Sequence, residues 1–454
     1  MVLSLYTKSI AYAPLDSEEL ALALSSRSSL WLHMQKYDLC LIDIDRALSI
    51  TKSKDLAQEL STLREKCLNH GAFPAYKNRR KEFKLPNITH PPNSVSCTAD
   101  CIKLEWSEKY GRHYVATRDI KPGEVVLCEK TSYACVDIEQ MYLVCAHCLA
   151  FAWVGVPCDF CVFTVYCSET CKSEAWFQYH DVICAMFSID SFSNRILSYE
   201  RDCKLSNPEY DDLSSGVFMV LVRMMILIIK REGLKNLMVA AQDINQEQVA
   251  EAKKSLTTCA NSTCSDFNYI CSLMPSEKNV EVNLVPILMW AFEQSSDTFL
   301  GNYDNAVSSS LKSVSEKLYK IIMSNSSKFA VYDCFCKDPE YADCISIRGS
   351  IFAPCSALFN HSCENNIDGI FLPGPRATFF ANQPIEKGKQ LFICYGPSAS
   401  MRKEMRHAVL ANNYSFKCDC IACIENWPLN YDSDRSKVSW SNIAYYCSSL
   451  ERSL

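Results

Sequence analysis

Between residues 145 and 184 the chain reads Cys145-x2-Cys148-x9-Cys158-x2-Cys161-x5-Cys167-x3-Cys171-x8-His180-x3-Cys184. A zinc ion is closed by four thiolate or imidazole ligands in a tetrahedron, so eight donors imply two ions. Two such sites hold together a segment too short to fold on its own apolar core. Read as a cross-braced pair, Cys145, Cys148, Cys167 and Cys171 share one ion, and Cys158, Cys161, His180 and Cys184 share the other; the spacing permits this pairing without requiring it. Paired Cys-x2-Cys steps with a distal His do not arise from packing demand.

Working outward from this array, the 454 residues, at about 150 per domain, allow about three domains. Hydrophobic residues make up 48% and charged residues 22%, with 12 Gly and 17 Pro. This composition is globular and excludes collagenous or low-complexity chains. The formal charge of −6, from 52 acidic against 46 basic residues, lacks the positive field of a nucleic-acid binder and suits a basic partner. No basic helix accompanies the cysteines, so direct sequence-specific nucleic-acid binding is not expected. The chain holds 27 cysteines, and its first thirty positions contain no basic stretch followed by an apolar run and a cleavage site. The expectation is a non-secreted protein of a reducing compartment, with thiolate-metal sites rather than disulfides. On that reading the Asn-x-Ser/Thr matches at Asn87, Asn261, Asn325 and Asn413 are chance. The apolar run Val217 to Ile229 contains Arg223 and falls short of the roughly 20 residues that cross a bilayer. It reads as a buried helix, with no membrane partner.

Residues 1–70 are helical in pattern. Leu20, Leu22, Leu24, Leu30, Leu32 and Met34 precede a turn at Gln35-Lys36, and Leu39, Leu41, Ile44, Ala47 and Leu48 follow it, which predicts a helical hairpin. Tyr37, Cys40, Ala47 and Leu48 stand at tetratricopeptide-like spacing, and Tyr6 to Pro14 resembles the closing half of an earlier repeat; an ordinary two-helix cap is the alternative. Residues 71–98 form a linker with a basic cluster, Lys77 to Lys84, and prolines at 86, 91 and 92. That cluster reads either as a solvated linker face or as a nuclear address. Short strands are expected over 99–137 around Gly111 and Pro122-Gly123, helices over 185–329, strands again over 330–397, a cysteine-bearing region at 398–425 and a tail at 426–454. The fold class is α+β, with β-material split by the cysteine array and a helical insert.

A second cluster, Cys418-x-Cys420-x2-Cys423, offers three thiolates and needs a fourth ligand from elsewhere. Cys363, in Asn360-His361-Ser362-Cys363, is the choice, and a shared zinc would pin the tail against that segment. Three structural zinc ions are therefore expected.

Asn360-His361-Ser362-Cys363, then Ile393-Cys394-Tyr395-Gly396, then Tyr414-Ser415-Phe416-Lys417-Cys418, together with Gly111 to Thr117 and Ile120 to Glu124 upstream, resemble the ordered motifs of a SET domain with its post-SET zinc site. The array at 145–184 resembles the MYND zinc finger. Together they look like the SET and MYND domain family of protein-lysine methyltransferases, and the helical start is most similar to that family's fourth type.

The resemblance implies a SET pseudoknot interrupted by the finger, S-adenosyl-L-methionine as cofactor, and a lysine-bearing protein as substrate, a histone tail being one candidate. It implies that Asn360 and His361 hold the cofactor, that the turn Gly111, Arg112 and His113 passes over its methionine part, and that Phe416 stacks near its adenine. Tyr395 completes the polar ring as the catalytic residue, also facing the cofactor, and Tyr414 walls the lysine channel. Asp333 stands where the family commonly has an Asn-containing strand and could accept a hydrogen bond from the cofactor's ammonium. His113 replaces the second Gly of the usual Gly-x-Gly turn, and Asn365 replaces the usual Pro after Cys363. The finger implies Pro-rich peptide partners, and Tyr166, Trp176, Phe177 and Tyr179 either line that groove or fill the finger's own core. A monomer in cytoplasm and nucleus is expected. The competing reading is a catalytically weak scaffold that keeps the fold and recruits partners through the finger and helices.

Overall fold

The computed structural model describes residues 2–70, 97–187, 215–234, 267–273, 305–334, 344–372 and 374–427, with positions 275, 289 and 292. The basic cluster and prolines of the linker, most of the helical insert and the tail from residue 428 lie outside the described residues.

Four helices fill the start: α1 (Val2–Tyr12), α2 (Glu18–His33), α3 (Tyr37–Ile50) and α4 (Lys54–Asn69). The expected hairpin is α2 with α3, and α1 and α4 flank it. Ser17 caps α2 by accepting from the Leu20 N–H at 3.1 Å, with Glu18 and Glu19 in the first turn. Ser53 caps α4 in the same way. Inside the bundle, Arg27 donates from Nε and Nη2 to the Asp43 carboxylate, both at 2.7 Å, and from Nη1 to Thr7 Oγ1. The Trp31 indole N–H donates to Asp43 as well. All four residues are fully buried, so the network locks α1, α2 and α3 in register. Trp31 meets Trp153 edge-on at 6.5 Å, and Trp153 stacks on Phe151 at 4.4 Å. Leu143 and Val154 join the same apolar cluster, so the helices lean on the cysteine-rich segment.

The first β-material is β1 (Ile102–Ser107), β2 (Gly111–Ala116), β3 (Val125–Lys130) and β4 (Ala134–Val136). Within the cysteine-rich segment lie β5 (Val156–Pro157) and β6 (Val165–Tyr166), paired with each other, then α5 (Glu169–Ala175), a π turn and α6 (Asp181–Phe187). Of the insert, α7 (Ser215–Glu232), α8 (Phe267–Cys271) and α9 (Asn305–Asn325) are described. The second β-material comprises β7 (Ser326–Cys334), β8 (Cys344–Phe352), β9 (Asn360–His361), β10 (Ile367–Leu372), β11 (Arg376–Ala381) and β12 (Phe392–Ile393), followed by α10 (Lys403–Tyr414) and α11 (Ile421–Ile424).

The two β-halves interleave. β11 pairs on one side with β10 and on the other with β3, β8 lies between β4 and β7, and β9 pairs in parallel with β12. Both three-stranded sheets draw strands from the two halves. The run predicted as a buried helix is α7, whose residues from Val217 to Ile226 are buried, and among the described residues no helix is long and apolar enough to cross a membrane. The one charge within the apolar run Val217 to Ile229, Arg223, donates to the Ala134 and Ala146 carbonyls and lies 4.1 Å from the centre of the Tyr179 ring, joining β4, the cysteine-rich segment and α7.

Removing one partner of a buried ion pair leaves the other uncompensated. Arg27→Met is therefore expected to cost about 3–5 kcal/mol in urea unfolding followed by circular dichroism, whereas Arg64→Met, at the half-exposed pair with Asp45, should cost under about 1 kcal/mol.

Candidate functional site

The site is built from β3 inward. Glu129 is 2% exposed and its carboxylate accepts from the Cys355 N–H at 3.0 and 3.1 Å and from the Ser356 N–H at 3.0 Å. This fixes the turn at Ser356–Leu358 that leads into β9. Asn366 braces the neighbouring strand, accepting from the Phe392 N–H at 2.7 Å and donating to the Gln390 carbonyl at 2.9 Å.

Parallel pairing of β9 with β12 sets His361 beside Tyr395. The Tyr395 N–H donates to His361 Nδ1 at 3.0 Å, so the neutral ring carries its proton on Nε2, 3.3 Å from Cys363 Sγ. Burial pushes His361 down to about 4, which keeps it neutral. The Tyr395 hydroxyl donates to the Phe359 carbonyl at 2.7 Å. Burial first, then the neighbouring Tyr414, pushes this hydroxyl up, so it stays protonated.

Tyr414 ends α10, and Ser415 takes a left-handed φ of 58° that turns the chain back. Phe416 is thereby returned to the same cluster. Ring centres lie 4.8 Å apart for Tyr395 and Tyr414, 5.3 Å for His361 and Tyr395, 5.9 Å for His361 and Phe416, and 6.4 Å for Tyr414 and Phe416.

The β1–β2 turn closes the opposite side. Asn360 Nδ2 donates to the Tyr110 carbonyl at 3.1 Å, and Lys109 pairs with Asp419 at 2.7 Å. Gly111 has φ +63°, and no heavy atom lies within 4 Å of where a Cβ would stand. The positive φ falls at Gly111 rather than at His113, so the side chain at 113 requires no left-handed backbone. The His113 ring folds back, with Nδ1 2.9 Å from the Gly111 carbonyl. Arg112 points away, donating to Ser272 Oγ and O over the Tyr269 ring, so only its backbone faces the turn. Asp333 lies in β7 opposite Ile345, and its side chain is outside the described residues.

The remaining candidates gather in three groups whose ligand atoms all lie within 4.8 Å of one another: Cys145, Cys148, Cys167 and Cys171; Cys158, Cys161, His180 and Cys184; and Cys363, Cys418, Cys420 and Cys423. Sulfur separations of 3.5 Å for Cys148 and Cys167, 3.8 Å for Cys158 and Cys184, and 3.6 Å for Cys363 and Cys423 match the edge of about 3.8 Å that Zn–S bonds of about 2.3 Å require. Hydrogen bonds from the Cys363 and Cys418 thiols hold Cys420 well below the ordinary thiol range, while Cys363 and Cys418 themselves are pushed up. Each group can hold a metal ion. Of the interleaved aromatics, Tyr166 and Tyr179 are buried, whereas Phe177 is 80% exposed and lines, with Trp176 and Phe160, an open cavity on the finger.

Glu129 escaped the sequence reading. Its signal was a charge two residues after Leu127, on the buried face of a strand where alternation calls for an apolar side chain.

Fold and site together define an α+β protein with a β-domain closed from two chain halves and bordered by three cysteine-rich clusters. The SET domain family model matches residues 111–396, so the chain belongs to the SET domain family. It is 22% identical over 505 residues to chicken (Gallus gallus) protein-lysine N-methyltransferase SMYD4, covering 86% of this chain and 65% of that protein. Against the human (Homo sapiens) SMYD4 it is 22% identical over 544 residues, covering 92% of this chain and 64% of the relative. A SET and MYND domain-containing protein of Dictyostelium discoideum is 25% identical over 382 residues, covering 76% of this chain and 86% of that protein. This chain thus spans less than two thirds of the two SMYD4 relatives. The open face of Gly111 lies beside Asn360, which leaves room for a ligand next to the aromatic cluster.

Because Glu129 satisfies two buried backbone N–H groups, Glu129→Leu should lower the urea-unfolding free energy by about 1–3 kcal/mol, and Glu129→Gln, which keeps one acceptor oxygen, should lose less.

Proposed function

We propose that this protein is an S-adenosyl-L-methionine-dependent protein-lysine N-methyltransferase. The observation that carries the reading is the convergence of His361 and Tyr395 from the β-domain with Tyr414 and Phe416 from the tail into one aromatic cluster, with Asn360, next to His361, bonded to the turn that holds the open Gly111. The names of the SMYD4 relatives support the same activity.

A bound cofactor would supply a methyl group carried on a sulfonium for transfer to a neutral lysine amine, the electron pair of the broken S–C bond staying on sulfur. The chain's own part is positioning and electrostatics. Asn360 and the His361 backbone hold the cofactor, with the backbone of Gly111, Arg112 and His113 along its methionine part and Asp333 near its ammonium. Phe416 stacks near the adenine and Tyr414 walls the lysine channel. The Tyr395 phenol, protonated and anchored on the Phe359 carbonyl, presents an electron-rich oxygen and ring face to the cationic methyl-sulfonium.

Three zinc ions occupy the three clusters, two in the MYND finger and one in the post-SET site. We further infer a pseudoknotted return of the tail, a tetratricopeptide-like character for the N-terminal helices, and the domain division stated from the sequence. The substrate class is lysine-bearing protein, histone tails included, in keeping with the net charge of −6. The exposed Phe160 and Phe177 favour a second role beside catalysis, docking of Pro-rich peptides on the finger. A monomeric state and a distribution between cytoplasm and nucleus rest on the family resemblance and the cysteine usage.

Calorimetric titration of zinc-replete protein with S-adenosyl-L-methionine should detect one binding site; no binding would end the enzyme reading. Tyr395→Phe should reduce labelled methyl transfer to a panel of lysine-bearing proteins by about 10²-fold, with cofactor affinity nearly unchanged. Equal loss of both would refute its role. Metal analysis should return three zinc ions per chain, and Cys363→Ser should lower this to two and weaken cofactor binding, because Tyr414 and Phe416 lose their clasp.

A further inference from the structure

Helix α10 carries a residue that the proposed chemistry does not use. Arg406 is fully buried, one turn before the equally buried Leu410. Its Nη2 donates to the Ala422 carbonyl at 2.9 Å and to Cys423 Sγ at 3.5 Å, and its Nη1 donates to the Trp427 carbonyl at 2.7 Å and to the Met401 carbonyl. One side chain thus ties the entry of α10 to α11 and to the residues that follow it.

Carbonyls alone do not call for a cation at this position. A neutral amide could donate to them without the desolvation penalty that a buried charge incurs. Among the described residues no carboxylate pairs with Arg406, and the acidic groups facing it are the thiols of Cys423 and Cys363. Four thiolates around a divalent ion leave a net charge of −2, whereas three thiolates and an imidazole leave −1. The other four-cysteine group also has a buried arginine beside it, since Arg223 binds the carbonyl of Ala146, the residue after Cys145.

Resting on the zinc reading of the tail cluster, we propose that Arg406 is a positioning residue of that metal centre. Its guanidinium offsets the excess thiolate charge and hydrogen-bonds Cys423, which retains the ion and keeps Tyr414 and Phe416 in the site wall. Outer-shell partners of this kind change metal affinity by about 10–100-fold.

The test uses the zinc-loaded full chain and a colorimetric chelator that reads zinc release. In Arg406→Gln, which keeps donors for the carbonyls but removes the charge, one of the three ions should leave at least about tenfold faster while the other two leave at the wild-type rate. Arg406→Lys, which keeps the charge but not the fork, should fall between. In cobalt-substituted protein the thiolate-to-metal charge-transfer band of Arg406→Gln should move to lower energy, a shift that loss of packing alone does not produce. Should the Gln variant not fold, Arg406→Lys carries the test, with release at the wild-type rate counting against the proposal. Unchanged release and an unchanged band in folded variants, or uniform acceleration of all three ions, would overturn it. Wild-type protein retaining only two ions would instead overturn the tail metal site itself.

Discussion

The short parallel ladder between β9 and β12 is the constraint on which the site depends. It places Asn360 against Phe392 and His361 against Ile393, so two segments about thirty residues apart share one surface. Only with that register does the Tyr395 N–H reach His361 Nδ1 and its hydroxyl reach the Phe359 carbonyl. A slip of one residue would turn these side chains to the other face. The ladder is too short to hold itself. It is pinned by the buried Glu129 on the preceding turn and by the half-buried Asn366 across the strand ends.

His361 links that ladder to the tail. One ring nitrogen accepts from the backbone of Tyr395 and the other faces Cys363 Sγ, while Cys418, Cys420 and Cys423 approach from the far side. Tyr414 and Phe416 lie immediately before those cysteines, so the proposed zinc, the aromatic wall and the strand register form one cooperative unit. A single four-coordinate ion can order such a segment because the tail brings little apolar area of its own to bury.

The cysteines that gather into the three groups were legible because they occur as local patterns, and the short motifs around Asn360, Tyr395 and Phe416 marked the family. Helices α2 and α3 followed from apolar periodicity around the Gln35-Lys36 turn, and α7 from its continuous apolar run. The buried cations and the buried carboxylate were not legible in this way. Arg27, Arg406 and Glu129 look like surface residues in a linear reading, and Arg223, read within a buried run, shows no partner there; each is internal because its partner comes from elsewhere: Asp43, Cys423, the Cys355 N–H and, for Arg223, the Ala134 carbonyl.

The amino-acid sequence by itself determined the α+β class, the interruption of the β-material, where the cysteines cluster along the chain and the identity of the aromatic residues, since each is a property of residue type and spacing along the chain. Tertiary structure alone decided that β3 closes against β11, that Arg112 turns away from the Gly111 turn while its neighbour His113 folds back on it, and that Tyr166 is buried where Phe177 is exposed. These outcomes depend on burial and on hydrogen-bond partners up to hundreds of residues distant, and a linear pattern carries no record of which distant groups will satisfy which.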